Sequence, residues 1–390
     1  MERLLADPDK FTVRAGPNSL DPTNGHVRSE TERQALAGMK ANRSGIPQIA
    51  KLAGVSIGTV DRALHGRRGI NDETRQRVLN IAKKIGYRPN LAARSLSTGR
   101  RIRIGVCVPQ EIRYFYNELW EGIHEEVSRY ADRGIDFVLH PIPELGKGEG
   151  PAFRKVMESN LQGVVVTPGN PDLMAPLIDA AEENGVRVVC VSTDAPGSQR
   201  SCIVCVQPRL NGLMAGELMS KFVPSGSKVA ILTGMLKTVD HREKVAGFTL
   251  GFSEYCSGGS VVTTIEAHED PEESFSKTRK LLKHNPELAG IYVNTVNCLP
   301  VCRALSAAKR AGNVRLIATD LFREMVPYFG DGTIDASMHQ RPYRQGQLAV
   351  RSLAEHLLHQ AELPKAHYLN PGIILRSNLH LFREAGRRGA

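Results

Sequence analysis

The chain has 390 residues, 41% of them hydrophobic and 24% charged, which are the values of an ordinary globular protein with room for two or three domains. No apolar run is long enough for a membrane-spanning helix, and seven cysteines, an odd number in a large chain, do not suggest a disulfide framework. The formal net charge of +10 is uneven: residues 46–101 hold twelve Lys or Arg against three acidic residues, whereas residues 102–390 hold thirty-two of each.

In chain order, residues 1–45 are rich in Asn, Asp, Ser, Pro, Gly and charge, and show no sustained apolar periodicity. They are expected to form a disordered or weakly helical extension, with Met39 an alternative start. The opening "MERLLADPDKFTVRAGPNSLDPTNG" has no basic segment leading into an apolar stretch, so the expectation is a cytoplasmic chain without a secretory leader or membrane association.

From Ile46 the pattern changes to short helices. Ile49, Ala50 and Ala53 predict the buried face of the first, and Gly54 and Val55 a tight turn. Ser56 is placed to cap a second helix whose Val60, Ala63 and Leu64 face inward. After the loop "GRRGIN", Asn71 caps a third helix carrying Val78, Ile81, Ala82 and Ile85, which Gly86 ends. Asn90 is placed to cap one last turn or two, "LAARSL".

Two short helices joined by a glycine-containing turn form a helix-turn-helix, whose second helix enters the major groove of DNA. Its outward face carries Ile57, Gly58, Thr59, Asp61, Arg62 and His65, with Ser56 able to donate to a phosphate. Arg62 suits a bidentate contact to guanine, and Ile57 a thymine methyl. A plain helical hairpin with a solvated basic surface is the bland alternative. The coincidence of the motif with the positive island favours a polyanion partner, because cations placed along phosphates release counterions.

From Arg103 onward, apolar strands such as "IRIGVCVP", "GVVVTP", "VRVVCVST", "SKVAILTG", "AGIYVN" and "VRLIATD" alternate with amphipathic stretches such as 119–130, 173–184 and 301–311. That alternation predicts βαβ units around buried parallel sheets. Eight or more strands over about 290 residues are too many for one comfortable sheet. They imply two α/β lobes with a ligand cleft at the carboxyl ends of their strands. Cys107, Cys190, Cys202 and Cys205 lie in strand-like runs and read as core. "CIVC" at 202–205 puts its thiols on opposite strand faces. Cys298 and Cys302 lack the histidine pair that would complete a zinc site. Neither metal nor cofactor is expected. No G-x-S-x-G, H-E-x-x-H or G-x-x-x-x-G-K-[ST] is present, so the chain does not read as an enzyme.

The segment "IPQIAKLAGVSIGTVDRALHGRRGINDETRQRVLNIAKKIGYRPNLAARSLSTG" closely resembles the DNA-binding headpiece of the lac repressor family over some 54 residues without a gap. It has the A-x-x-A-G-V-S-x-x-T-V-x-R core, the T-R-x-x-V of the third helix and the G-Y-x-P-N-x-x-A-x-x-L ending. The resemblance implies three parts: an extension at 1–45, a headpiece at 46–98 with a hinge helix at 90–97, and a two-lobed effector and dimerisation domain at 99–390. It adds Asn90, Ala93 and Leu96 to a DNA-contacting set of Ser56, Ile57, Gly58, Thr59, Arg62 and His65, Leu96 matching a leucine wedged into a minor-groove base step. Asp61, where the family commonly has Ser, and Gly58 are departures that bear on operator sequence.

The long segment resembles the type I periplasmic-binding-protein fold, and within it the ribose-type sugar-binding group. That resemblance implies an effector site of Arg113, Phe115, Tyr116, Asp194, Arg242, Asn294, Asp320 and Gln340. Such a set suits a small sugar or polyol, which needs carboxylate acceptors, amide groups and flat apolar faces. Arg113 and Gln207 depart from the group's pattern and suggest a modified or acidic sugar. The implied protein is a homodimeric, sugar-controlled repressor on a near-palindromic operator. A sugar-binding transport protein and a glycosidase using Asp194 and Asp320 are the alternatives.

Overall fold

The computed structural model describes residues 45–64, 69–85, 101–110 and 113–383. The chain divides into two compact units, 1–88 and 89–390. The hinge segment 90–97, with Asn90, Ala93 and Leu96, lies outside the described residues, as do His65 and the extension up to residue 44.

Among the described residues the smaller unit has three helices: α1 (Ile46–Ala53), α2 (Ile57–Leu64) and α3 (Asp72–Lys84). Gly54 ends α1 with φ of 66°, a left-handed conformation that glycine adopts without penalty. Ser56 Oγ accepts from the Thr59 N–H at 3.2 Å, and Asn71 Oδ1 from the Thr74 N–H at 2.7 Å, so both predicted caps form. Ile49, Ala50, Ala53, Val60, Ala63, Val78 and Ala82 make the core.

The larger unit contains two six-stranded sheets. The first has the order β11-β5-β4-β3-β1-β2, built from β1 (Ile102–Cys107), β2 (Ile135–Leu139), β3 (Gly163–Val166), β4 (Arg187–Val191), β5 (Cys202–Val206) and β11 (Ala366–Leu369). The second has the order β12-β10-β9-β8-β6-β7, built from β6 (Lys228–Thr233), β7 (Ser260–Glu266), β8 (Leu288–Val293), β9 (Arg315–Thr319), β10 (Ala336–His339) and β12 (Gly372–Ile374). Every pairing is parallel except β10 with β12. Central strands such as β3 and β5 are buried along their whole length, the reason they read as unbroken apolar runs. This is the two-lobed α/β architecture expected from the strand rhythm.

The α-helices of this unit among the described residues, in order, are α4 (Arg113–Tyr130), α5 (Glu149–Met157), α6 (Pro171–Glu183), α7 (Pro208–Phe222), α8 (Val239–Tyr255), α9 (Pro271–His284), α10 (Cys298–Ala307), α11 (Val326–Gly330), α12 (Pro342–His359) and α13 (Leu379–Arg383). The chain crosses between lobes after β5, after β10 and after β11. All seven cysteines are buried and unbridged. Burial pushes the thiols of Cys107 and Cys202 up, to about 12 and about 11, so they pack as neutral groups. Cys298 and Cys302 face each other within α10, their sulfurs 3.7 Å apart.

Helices α7 and α8, the second of which carries lining residues of the cleft, cross in close contact. A Cβ on Gly212 of α7 would lie 2.1 Å from the Lys244 carbonyl oxygen of α8, and one on Gly247 of α8 would lie 2.1 Å from the Arg209 oxygen of α7. The two backbones touch, and no side chain fits between them. Gly212→Ala is expected to destabilise the fold by about 1–3 kcal/mol through overpacking, read as a lower urea midpoint. Gly330→Ala, at a position with open space around it, should leave the midpoint unchanged.

Candidate functional site

On α2, the inward Val60 and Ala63 leave Ser56, Ile57, Gly58 and Arg62 exposed, with Ile57 at 57%. The isoleucine and the arginine thus lie on the solvent side of α2, as Leu52 does on α1 at 55%. Thr59 is half-buried and its hydroxyl lies 2.9 Å from Ser56 Oγ.

In the larger unit a cavity lies between the lobes at the carboxyl ends of the strands, with a volume of about 40 Å³ for water-sized occupants. That is several times the ~10–15 Å³ one water needs. The first lobe contributes Phe115 and Tyr116 from α4, Leu145, and Ser192 and Thr193 after β4. Phe115 and Tyr116 meet edge to face, 5.1 Å between centroids, and both are buried. The second lobe contributes Thr238, Asp240, His241 and Lys244 from the start of α8, Glu269, then Asn294, Thr295 and Val296 after β8, Thr319 and Gln340.

Of the residues expected from the sequence, Phe115, Tyr116, Asn294 and Gln340 line this cavity. Asn294 Nδ2 donates to the His241 carbonyl at 3.1 Å, leaving its buried Oδ1 without a partner. That oxygen is a ready acceptor for a ligand hydroxyl. Arg113 opens α4, but its side chain lies outside the described residues.

Three expected residues are placed elsewhere. Asp194 stands beyond the lining Ser192 and Thr193, and turns to Arg200: Nη2 donates to Asp194 Oδ2 at 2.6 Å, and Nε to Oδ1. The backbone reverses at Ser192, whose φ is 66°, so the residues that reach the cleft come earlier than the strand pattern implied. Arg242 is half-exposed, its Nε 3.9 Å from Glu243. At 100° per residue, helical phase puts Asp240, His241 and Lys244 on one face and turns Arg242 away. Asp320, with φ of 59°, is buried behind the wall. Its Oδ1 accepts from the Gln340 N–H at 2.8 Å and its Oδ2 from Gln340 Nε2 at 2.7 Å. Asp320 therefore orients a lining amide without reaching the cavity itself.

The charged groups that do line it were not anticipated. Lys244 is only 1% exposed, and its ammonium donates to Asp240 Oδ2 at 2.6 Å and to Gln340 Oε1. The Met235 N–H donates to His241 Nδ1 at 3.0 Å, so in a neutral imidazole Nε2 carries the proton. That nitrogen lies 3.4 Å from Glu269 Oε1, and Thr295 Oγ1 donates to Glu269 Oε2. His268 and Glu269 both have positive φ, 47° and 59°. A Cβ on Gly234 would lie 2.5 Å from the His241 ring and nearer still to Glu269, so these side chains need the glycine. The spacing of Asp240 and Lys244 was visible in the sequence. Glu269 depends on loop geometry and was not.

Residues 46–90 match the model of the family described as bacterial regulatory proteins, lacI family. Residues 104–361 match the periplasmic binding protein domain model. The HTH-type transcriptional regulator DegA of Bacillus subtilis is 26% identical over 272 residues, 69% of this chain and 78% of DegA. The HTH-type transcriptional repressor PurR of Aliivibrio salmonicida is 23% identical over 341 residues, 86% of this chain and 98% of PurR. Among solved structures, a solute-binding protein of Burkholderia graminis in complex with D-arabinose superposes with a TM-score of 0.66 at 23% identity, over 72% of this chain and 97% of its own. One from Bacillus halodurans with bound myo-inositol has a TM-score of 0.66 at 18% identity, over 73% and 98%. At these identities the two structures establish the shared fold.

On α4, burial pushes the Glu118 carboxyl up to about 7, with His339 opposing the rise and Asp320 and Glu121 adding to it. A carboxyl raised in this way favours the native state below its unfolded value, and that stability is lost as pH rises through about 7. Glu118→Gln is therefore expected to raise the melting temperature at pH 8 and to change it little at pH 5, a comparison that differential scanning fluorimetry makes directly.

Proposed function

This chain belongs to the lacI family of bacterial regulatory proteins and carries a periplasmic binding protein domain, and we propose that it is a homodimeric repressor whose operator affinity is set by a small neutral sugar or polyol. The observation that carries this reading is the cavity walled by both lobes, in a chain whose other unit presents a helix-turn-helix face.

Polyol recognition is supported by the lining. The free Asn294 Oδ1, the Gln340 amide and the carboxylates of Asp240 and Glu269 offer acceptors and donors to hydroxyls, and Phe115 and Tyr116 offer flat apolar faces. Two carboxylates against one ammonium already paired with Asp240 disfavour an anion. A neutral sugar fits this lining better than the acidic one that Arg113 and Gln207 suggested. Asp194 and Asp320 are each engaged by other side chains and do not flank a bond, which weighs against a glycosidase; the relatives that cover most of this chain are transcriptional regulators.

Ligand contacting both lobes favours their closed arrangement over an open one, and only that difference in affinity can be transmitted. In a symmetric dimer two headpieces would read half-sites related by the same axis. The basic island of residues 46–101 supplies the sequence-independent part of the affinity.

Two expectations follow from the two halves of the reading. Arg62→Ala should cost about 1–3 kcal/mol on the preferred duplex and relax base preference at one position, measured by binding-site selection followed by fluorescence anisotropy; unchanged selectivity would count against α2 as the reading helix. Asn294→Ala should abolish the sugar-induced change in DNA affinity while leaving sugar-free DNA binding intact.

A further inference from the structure

We propose that the effector has two rings, the second seated in an outer chamber that opens off the sugar cavity. This rests on the reading of the inner cavity as a sugar site. The chamber has a volume of about 1240 Å³ and shares Leu145, Glu269 and Val296 with the inner cavity as common walls. In the proposed complex the glycosidic link runs past those three side chains, which border both spaces.

Asn297 is the residue that marks the chamber as a binding surface. It occupies the N-cap position of α10, where an asparagine ordinarily accepts a backbone N–H. Here the side chain makes no capping bond. It is 93% buried, being 7% exposed, and Nδ2 has no partner while the residue lines the chamber and the recess beside it. Buried donors are nearly always satisfied, and an acceptor oxygen on a ligand in the chamber would satisfy this one.

Tyr114 supplies the second element of the chamber. Its ring lines the wall and is stacked on Phe322 at 3.8 Å between centroids and 12° between planes. That stack fixes the plane of the tyrosine, which remains 39% exposed. A fixed aromatic plane beside an amide donor is suited to a pyranose or furanose, with C–H bonds on the ring face and hydroxyls at the edge. The remaining charge decides the class of the second unit. Six carboxylates border the chamber against Lys147, Lys237 and His268, so a phosphorylated or uronic second ring is repelled and a neutral one is accepted.

The test is isothermal titration calorimetry on the full-length protein, with neutral pentoses, hexoses and cyclic polyols beside neutral disaccharides built from the same sugars. At least one disaccharide is expected to bind about tenfold or more tightly than either of its components. Asn297→Ala should remove most of that advantage and leave monosaccharide binding within about twofold, because the inner cavity is untouched. Asn297→Asp, of the same shape but without the amide donor, should do the same, so the conclusion does not depend on one variant folding well. A monosaccharide that binds as tightly as every disaccharide, with neither variant changing the ratio, overturns the two-ring effector and leaves the sugar site standing. Failure of every saccharide of either size overturns the sugar site and the outer chamber with it.

Discussion

An ammonium with almost no access to water sits in the wall of the cleft. Lys244 is 1% exposed, and a charge so placed is tolerated only with well-formed partners, its loss of one costing roughly 3–5 kcal/mol. The partners are Asp240 one turn earlier and the Gln340 amide oxygen. Because the oxygen of Gln340 is taken by Lys244, its nitrogen faces Asp320, which in turn receives the Gln340 backbone N–H. A single buried charge thus fixes the orientation of three polar side chains before any ligand arrives. The glycine crossing of α7 and α8 serves the same end, since it holds the backbone of Lys244 at contact distance from Gly212.

The cleft is closed by contacts of a different kind. Thr238 Oγ1 of the second lobe donates to the Gly169 carbonyl of the first at 2.8 Å. The Asp240 N–H donates to Thr193 Oγ1 at 3.3 Å. Glu149, itself buried, accepts the N–H groups of Gly169 and Asn170 at 2.8 and 2.7 Å and so steadies the loop that Thr238 meets. The Tyr114–Phe322 stack adds an apolar contact across the mouth. These are few and individually weak, about 0.5–1.5 kcal/mol each for neutral hydrogen bonds. An interlobe equilibrium balanced by such contacts is one that a ligand touching both walls can shift.

Much of the architecture was legible because it is local. The three short helices follow from apolar spacing and from caps at Ser56 and Asn71 that act within three residues. The parallel strands follow from apolar runs buried on both faces. Less visible were β10, β11 and β12, which are short and, in β11, half-exposed. Their strand character comes from partners far away in sequence, as in the pairing of Ala366 with Ile203.

The sequence by itself determined the helix-turn-helix with its basic surroundings, the two parallel α/β lobes and the general position of a cleft at their strand ends. Periodicity, capping and charge density are properties of contiguous residues and can be counted along the chain. Only the tertiary structure decided which polar side chains enter that cleft. Asp194, Arg242 and Asp320 lie next to lining residues in sequence, yet a backbone reversal, a helical phase of 100° and a left-handed strand end direct them away. Lys244 and Glu269 arrive because close backbone packing and an absent side chain at Gly234 make room for them. Direction in space depends on long-range packing, and no local pattern carries it.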